Sequence, residues 1–432
     1  MKTLTVWRSQ PLRGVITVPG DKSISHRALL LGAIAAGRSR VTNFLDSADC
    51  RATLTIIRAL GINVHTVSST ELIIEGSGLH GLREAAGVLD CAGSGTTMRL
   101  LAGLLAGQPF LSILAANSAL SRRPMDRIAV PLRQMGATVL GRQGGKLPPL
   151  AIQGGYLHGV DYVMPVASAQ VKSGILLAGL YAAGITTVHE PQPSRDHSER
   201  MLRALGVTVH SKNTTITIQP PTGRLTSFDL NVPGDISSAA FPIIAACLVA
   251  GSSVTIQNVG VNPTRTGLLD ALARMGAQIA LEQQPSAGSE PVANIHVRAS
   301  DLQGTTIAGA EIPRLIDELP ILAIAATQAH GVTTVHDAAE LRVKESDRIS
   351  ALAAELRKLG AHIEEFSDGF AIEGPTHLHG AAVDSHRDHR LAMALAVAGL
   401  VADGETVISD ADCIDDSYPG FSESLAQLGA LQ

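Results

Sequence analysis

Six cations and three acid–base groups stand at joints of this chain. Lys22 and Arg27 lie in Pro19-Gly20-Asp21-Lys22-Ser23-Ile24-Ser25-His26-Arg27, and Arg123 in Ser121-Arg122-Arg123-Pro124-Met125. Lys344 and Arg348 lie in Arg342-Val343-Lys344-Glu345-Ser346-Asp347-Arg348, and Arg390 follows Asp388-His389. Any one of these charges alone reads as a solvated surface pair. Together they fall where apolar helical patterns begin or turns are due, which suits a pocket for a multiply charged anion. Hydrogen bonds to charged groups contribute roughly 1.5–3 kcal/mol each, against roughly 0.3–1 kcal/mol for a helix dipole, so the cations must carry the affinity. Asp317, Glu345 and His389 are the groups that can move protons. Glu345 sits between Lys344 and Arg348, which keep it ionised, and His389 is of the type that titrates near neutral pH. Asp317, in Leu315-Ile316-Asp317-Glu318-Leu319-Pro320, reads equally as an acid–base group or as the N-cap of an apolar helix.

These residues are spread over 432 positions, more than one hydrophobic core normally serves, so two domains are expected. The core must be Ala, Leu, Ile and Val, because hydrophobic residues make up 45% of the chain and aromatics only 3%. A net charge of −5 excludes the broad basic surface of a general nucleic-acid binder, though not a small cationic pocket. Cys50, Cys91, Cys247 and Cys413 form no C-x-x-C pair, so neither a zinc site nor a disulfide framework is expected. With no signal-peptide pattern and no apolar run long enough to span a bilayer, a cytoplasmic protein without membrane contact is expected.

The elements that must position the charges come in six copies. Apolar, small-residue runs close at Gly37, Gly107, Gly184, Gly251, Gly331 and Gly404, roughly seventy to eighty residues apart. A short β-branched strand follows each, such as Ser253-Val254-Thr255-Ile256. An amphipathic helix then closes at Gly61, Gly136, Gly206, Gly276, Gly360 or Gly429, where glycine is the left-handed stop signal. Runs such as Leu391-Ala392-Met393-Ala394-Leu395 are apolar all round and must be buried. The second helices, such as the one from Ile349 to Lys358, have a charged face and belong outside. Val18-Pro19-Gly20-Asp21 returns as Val232-Pro233-Gly234-Asp235, but without the Lys, His and Arg that follow the first copy. The repeated segments mark where the chain crosses between domains: 1–20 with 235–432 form one three-unit domain and 21–234 an inserted one. Pro and Gly at both crossings suit hinges.

Helix N-termini attract anions, and three heads in the first half are built of small or hydroxyl residues. They are Asp21-Lys22-Ser23, Gly93-Ser94-Gly95-Thr96-Thr97 and Ser168-Ala169-Gln170. Considered singly, each is an ordinary N-cap. Three at symmetry-related places read as faces of one site.

The segments quoted above resemble the enolpyruvyl transferase family in joint order, together with Ala92-Gly93-Ser94-Gly95-Thr96-Thr97-Met98-Arg99 and Ser194-Arg195-Asp196-His197. The match spans nearly the whole chain. It implies an α/β fold, a two-domain inside-out α/β barrel of six βαβαββ-like units, three per domain, with the active site in the cleft between domains. It also implies transfer of the enolpyruvyl group of phosphoenolpyruvate to the 5-hydroxyl of shikimate 3-phosphate, with release of phosphate, by a monomer. By the same resemblance Lys22, Ser23, Arg27, Ser168, Gln170, Ser194, Arg195, Asp317 and Lys344 bind shikimate 3-phosphate. Lys22, Gly95, Arg123, Gln170, Arg348 and Arg390 bind phosphoenolpyruvate. Lys22, Asp317, Glu345 and His389 are then the catalytic set, and no metal or cofactor is implied, since Lys and Arg supply the counter-charge. Two phosphates and two carboxylates must be held together, so a cationic site is expected.

Two departures from the family pattern stand out. Ala169 replaces a second Ser found in some members, and Asp412 stands near a position where many have Lys. A sister transferase acting on a UDP-amino sugar typically has Lys-Asn after the first hinge and a loop Cys. Lys22-Ser23 and the Cys-free stretch from Leu114 to Arg123 argue against it. A non-catalytic repeat scaffold would have no reason to gather these cations.

Overall fold

The structure, a computed structural model, describes residues 2–430. Twelve helices of seven residues or more alternate with short strands among those residues. Numbered in chain order, α1 (Lys22–Ile34), α3 (Gly95–Ala106) and α5 (Ala169–Gly179) are buried over nearly their whole length. So are α7 (Ile236–Leu248), α9 (Leu319–Gln328) and α11 (His389–Gly399). Their partners are amphipathic and keep one face in water: α2 (Ala48–Ala59), α4 (Asp126–Gln134), α6 (His197–Ala204), α8 (Gly267–Arg274), α10 (Arg348–Lys358) and α12 (Phe421–Gln427). Periodicity explains the division: a helix without a polar stripe has no face to give to solvent.

Each helix pair belongs to one sheet. Five sheets share one order, in which a parallel edge pair is followed by two antiparallel neighbours. The sixth is completed by the N-terminal strand Leu4–Trp7, antiparallel to Glu405–Ser409, which itself runs parallel to Ala382–Asp384. Similar closures join Asp229–Asn231 to Ala36–Thr42 and Arg13–Thr17 to Ser253–Gly260. The six glycines expected to end the outer helices all have positive φ, from +85° at Gly206 to +107° at Gly136. Gly107 differs from the other inner-helix stops: its φ is −82°, because it caps α3 without a left-handed turn.

The chain forms two compact units. Gly20–Val232 with Ala287–Glu290 make one, which we call the inserted unit, and the rest of the chain makes the other, the outer unit. Two of the changes of unit fall within the repeated Val-Pro-Gly-Asp segments. The tip Ala287–Glu290 adds two further crossings of the chain. Each unit has its own hydrophobic core. In the inserted unit α3 and α5 pack backbone to backbone: a Cβ at Gly103 would lie 1.9 Å from the Gly174 carbonyl oxygen. That close approach aligns the two helix heads.

Candidate active site

In the inserted unit the heads of α1, α2 and α3 meet. Asp21 caps α1, accepting from the Ile24 amide at 2.9 Å, which leaves Lys22 at the first helical position. Lys22 Nζ donates to Asp49 Oδ2 at 3.2 Å, with both side chains about one-fifth exposed (19% and 24%). Ser94 caps α3 through the Thr97 amide, so the next residue, Gly95, opens the helix. A Cβ at Gly95 would lie 2.8 Å from Arg99 Nη1 and 3.4 Å from Arg123 Nη1; its absence keeps two guanidinium groups close to the helix head. Arg99 Nη1 donates to Gln170 Oε1 at 2.5 Å, and Gln170 Nε2 donates to Thr96 Oγ1 at 2.9 Å. Gln170 therefore uses both ends of its amide to tie the head of α5 to that of α3.

The next stretch of the same unit gathers around Arg27. This side chain is buried, donating from Nε to Ser198 Oγ, from Nη1 to the Ser23 carbonyl and from Nη2 to Ser173 Oγ, at 2.6–2.9 Å. Burial lowers its pKa to about 10 against the opposing pull of Glu199 and Asp21, and Arg195 adds to the lowering; it remains charged at neutral pH. Three of its five N–H groups are thus spent on protein partners, and Arg27 is a braced cation rather than a solvent-facing clamp. Ser168 is half-buried and caps α5 through the Val171 amide. Ser194 is held by Glu190, to which its hydroxyl donates, and Lys172 donates to Glu190 at 2.9 Å and to the Ser194 carbonyl at 3.3 Å. Burial opposes the Lys172 charge, but Glu199 and Glu190 raise its pKa, so the buried cation pins the Ser194-Arg195 turn.

The outer unit brings Asp317, Lys344, Glu345, Arg348, Asp388, His389 and Arg390 into one cluster. Arg348, 2% exposed, is its hub. Its Nε donates to Asp388 Oδ2 at 2.8 Å, Nη2 to Glu345 Oε2 at 2.7 Å and Nη1 to Asp317 Oδ1 at 3.3 Å. Burial opposes that charge, yet Asp388, Glu345 and Asp317 raise the pKa further above its ordinary value. Lys344 Nζ also reaches Asp317 Oδ1, at 3.2 Å. Asp388 caps α11 through the Arg390 amide, placing His389 and Arg390 in its buried first turn. Arg390 Nη1 lies 3.7 Å from Glu318 Oε1.

Two expectations need correction here. Asp317 is not an N-cap: α9 begins after Glu318, and neither side chain caps it, because Asp317 is turned to Lys344 and Arg348. Nor is the outer unit's cluster cationic. Lys344, Arg348 and Arg390 stand among Asp317, Glu318, Glu345 and Asp388, so carboxylates outnumber cations. In the inserted unit Lys22, Arg27, Arg99, Arg123, Lys172 and Arg195 stand with Asp21, Asp49, Glu190 and Glu199, so there the cations outnumber the carboxylates.

Reading the sequence missed several groups. Arg99 and Lys172 were visible as cations inside otherwise apolar helices, a placement that demands a partner. Asp49 and Asp388 look like ordinary helix-head acids, and nothing local shows that their partners are Lys22 and Arg348. Asp412 lies exposed on a short turn of helix, pointing away from the core.

Two units of repeated helix-and-sheet pairs, one carrying a cationic cluster and the other an acid-rich one, define an enolpyruvyl-transferase-like α/β protein. The enolpyruvyl transferase NikO from Streptomyces tendae shares this fold, with a TM-score of 0.80 at 20% identity, covering 99% of this chain and 97% of its own. A family model for EPSP synthase (3-phosphoshikimate 1-carboxyvinyltransferase) matches residues 6–425, and the chain belongs to that family. It is 54% identical over 417 residues to the 3-phosphoshikimate 1-carboxyvinyltransferase of Desulforamulus reducens, covering 96% of this chain and 97% of the relative. The Gloeobacter violaceus protein of the same name is 53% identical, with 99% of each covered. The solved EPSP synthase of Acinetobacter baumannii superposes with a TM-score of 0.90 at 43% identity, covering 100% of this chain and 99% of that one. The chain is accordingly a transferase of the shikimate pathway, moving the enolpyruvyl group of phosphoenolpyruvate to shikimate 3-phosphate.

Proposed function

We propose that the two clusters divide the reaction between holding charge and moving protons. The inserted unit grips the anions. Lys22, Ser23, Arg27, Ser168, Gln170, Ser194 and Arg195, joined by Asp317 and Lys344, take shikimate 3-phosphate. Lys22, Gly95, Arg123 and Gln170, joined by Arg348 and Arg390, take phosphoenolpyruvate. The observation that carries this reading is the opposite charge balance of the two clusters: Lys22, Arg27, Arg99, Arg123, Lys172 and Arg195 against Asp21, Asp49, Glu190 and Glu199 in the inserted unit, and Asp317, Glu318, Glu345 and Asp388 against Lys344, Arg348 and Arg390 in the outer one.

In the addition step the acceptor 5-hydroxyl oxygen bonds to the central carbon of the enol and gives up its proton, while the methylene carbon takes a proton and becomes a methyl group. In the elimination step the methyl loses a proton, the carbon–oxygen bond to phosphate breaks and phosphate departs, restoring the double bond. Asp317 and Glu345 suit the proton transfers, since each is a carboxyl group held by the same guanidinium. Lys22 neutralises and can protonate the departing phosphate, and His389 completes the set. The enzyme acts in this proposal as a cytoplasmic monomer on two small anions, with neither nucleic acid nor membrane involved. Its four cysteines are free, as a reducing compartment allows. The test is phosphate release with both substrates in deuterium oxide. Turnover should place deuterium in the product methylene, and Lys22→Met should abolish turnover while the protein stays folded. Product free of deuterium would exclude the transient methyl group.

A further inference from the structure

One motif residue has no part in the chemistry above. His26 is fully buried, one turn after Lys22 on α1. Its Nδ1 lies 2.8 Å from Thr53 Oγ1 on α2, and Thr53 Oγ1 lies 2.7 Å from Thr97 Oγ1 on α3. Thr97 Oγ1 donates to Ser94 Oγ at 2.8 Å and lies 3.5 Å from the Asp49 carbonyl, while either hydroxyl could donate in its 2.7 Å contact with Thr53. Among the described residues His26 Nε2 has no hydrogen-bond partner.

The Thr97-to-Ser94 direction fixes the donors along the rest of this chain. A threonine hydroxyl has one proton. With the Thr97 proton on Ser94, Thr53 must donate to Thr97, so Thr53 must itself accept from His26, and Nδ1 carries the hydrogen. Nε2 is then a bare acceptor, which is the cheaper group to bury unpaired, since orphaned N–H donors are the rarer case in folded proteins. Burial lowers the His26 pKa to about 3, against the pull of Asp49 and with help from Lys22 and Arg27, so the ring stays neutral. Ser94 Oγ accepts from the Thr97 hydroxyl and amide, which leaves its own proton as the hydrogen the chain delivers at the head of α3, one residue before Gly95.

We propose that His26 is a positioning residue: its Nδ1–H tautomer sets the direction of a buried hydroxyl relay, Thr53 to Thr97 to Ser94, that presents the Ser94 proton to the phosphoenolpyruvate anion. The proposal rests on the assignment of the α3 head to phosphoenolpyruvate. Reversing the tautomer would turn Ser94 into a donor to Thr97 and withdraw that proton from the ligand.

The conservative variants separate direction from packing. An Asn amide reaches the place of Nδ1 and a Gln amide that of Nε2. His26→Asn should keep the Michaelis constant for phosphoenolpyruvate within about threefold of the parent. His26→Gln and His26→Leu should raise it roughly tenfold to a hundredfold, the worth of one hydrogen bond to a charged group. A filler role would give the opposite order, because Leu and Gln match the volume of His better than Asn does; that order would overturn the proposal. Nitrogen-15 chemical shifts of the His26 ring in the ligand-free enzyme give a reading independent of substrate identity. A hydrogen on Nδ1 across neutral pH supports the relay, and a hydrogen on Nε2 sinks it even if turnover of both substrates is normal.

Discussion

Removing the carboxylate of Asp388 should cost the outer unit a large part of its stability. Asp388 is 0% exposed and accepts from Arg348 Nε at 2.8 Å, Arg348 Nη2 at 3.3 Å, Ser346 Oγ at 3.1 Å and the Arg390 amide at 2.9 Å. Asp388→Ala strands a buried guanidinium, which typically costs about 3–5 kcal/mol. Loss of the α11 cap adds about 1 kcal/mol. Glu345 and Asp317 still face Arg348, so about 3–5 kcal/mol is the expected total, a substantial fraction of the roughly 5–15 kcal/mol that holds a domain folded. The single tryptophan, Trp7, lies in the outer unit, paired with Glu405, so its fluorescence during urea unfolding reports on this unit. Arg348→Met alone should cost a similar amount by stranding Asp388, whereas Arg348→Met with Asp388→Leu should recover at least about 1 kcal/mol of the summed loss. The pH dependence follows the same pair. Burial favours the neutral Asp388 acid, but the Arg348 field overcomes it, and the carboxyl titrates below its ordinary range. Its contribution is therefore complete above the unfolded value near about 4 and disappears as the pH falls through the lower folded value. A loss below about 1 kcal/mol for Asp388→Ala, or additive single variants, would refute the view of Arg348 as a buried, acid-dependent hub.

Other consequences are simpler to measure. Asp317→Ala should lower turnover roughly 10²–10⁴-fold, the range for loss of an acid–base group, with a smaller stability cost than Asp388→Ala, since Arg348 keeps Asp388 and Glu345; near-normal turnover would remove it from the catalytic set. Asp412→Lys should tighten phosphoenolpyruvate binding by a few fold at most, because the residue is exposed and its field is screened over about 8–10 Å at physiological salt. An unchanged Michaelis constant would show that this helical turn is remote from the ligand. Gly103→Ala should destabilise the inserted unit by about 1–3 kcal/mol, because its Cβ would meet the Gly174 carbonyl at 1.9 Å and force α3 and α5 apart. Thermal unfolding at parent stability would mean that this crossing is looser than described.

Much of this protein is legible in the residue order. A helix without a polar stripe must be buried, a Gly after an amphipathic run must turn left-handed, and six such runs in series must make six like units; all of these are local rules. The Lys, Arg and acid motifs at the unit joints are legible too, because a cation that interrupts an apolar or turn pattern needs a reason. What local rules cannot show is which charges neutralise each other. Arg99 with Gln170 and Arg348 with Asp388 come from different units of the repeat, and Lys22 with Asp49 from the two helices of one unit, so each pairing depends on how neighbouring helix heads meet. The same holds for Asp317. From its neighbours it is as good an N-cap as an acid, and only the arrival of Arg348 and Lys344 from the following helix head decides between them. The sequence by itself thus determined the repeated elements and the list of chemical groups. The tertiary structure decided the charge balance of each cluster, because Coulomb interactions depend on distance and burial, and neither is a property of position along the chain.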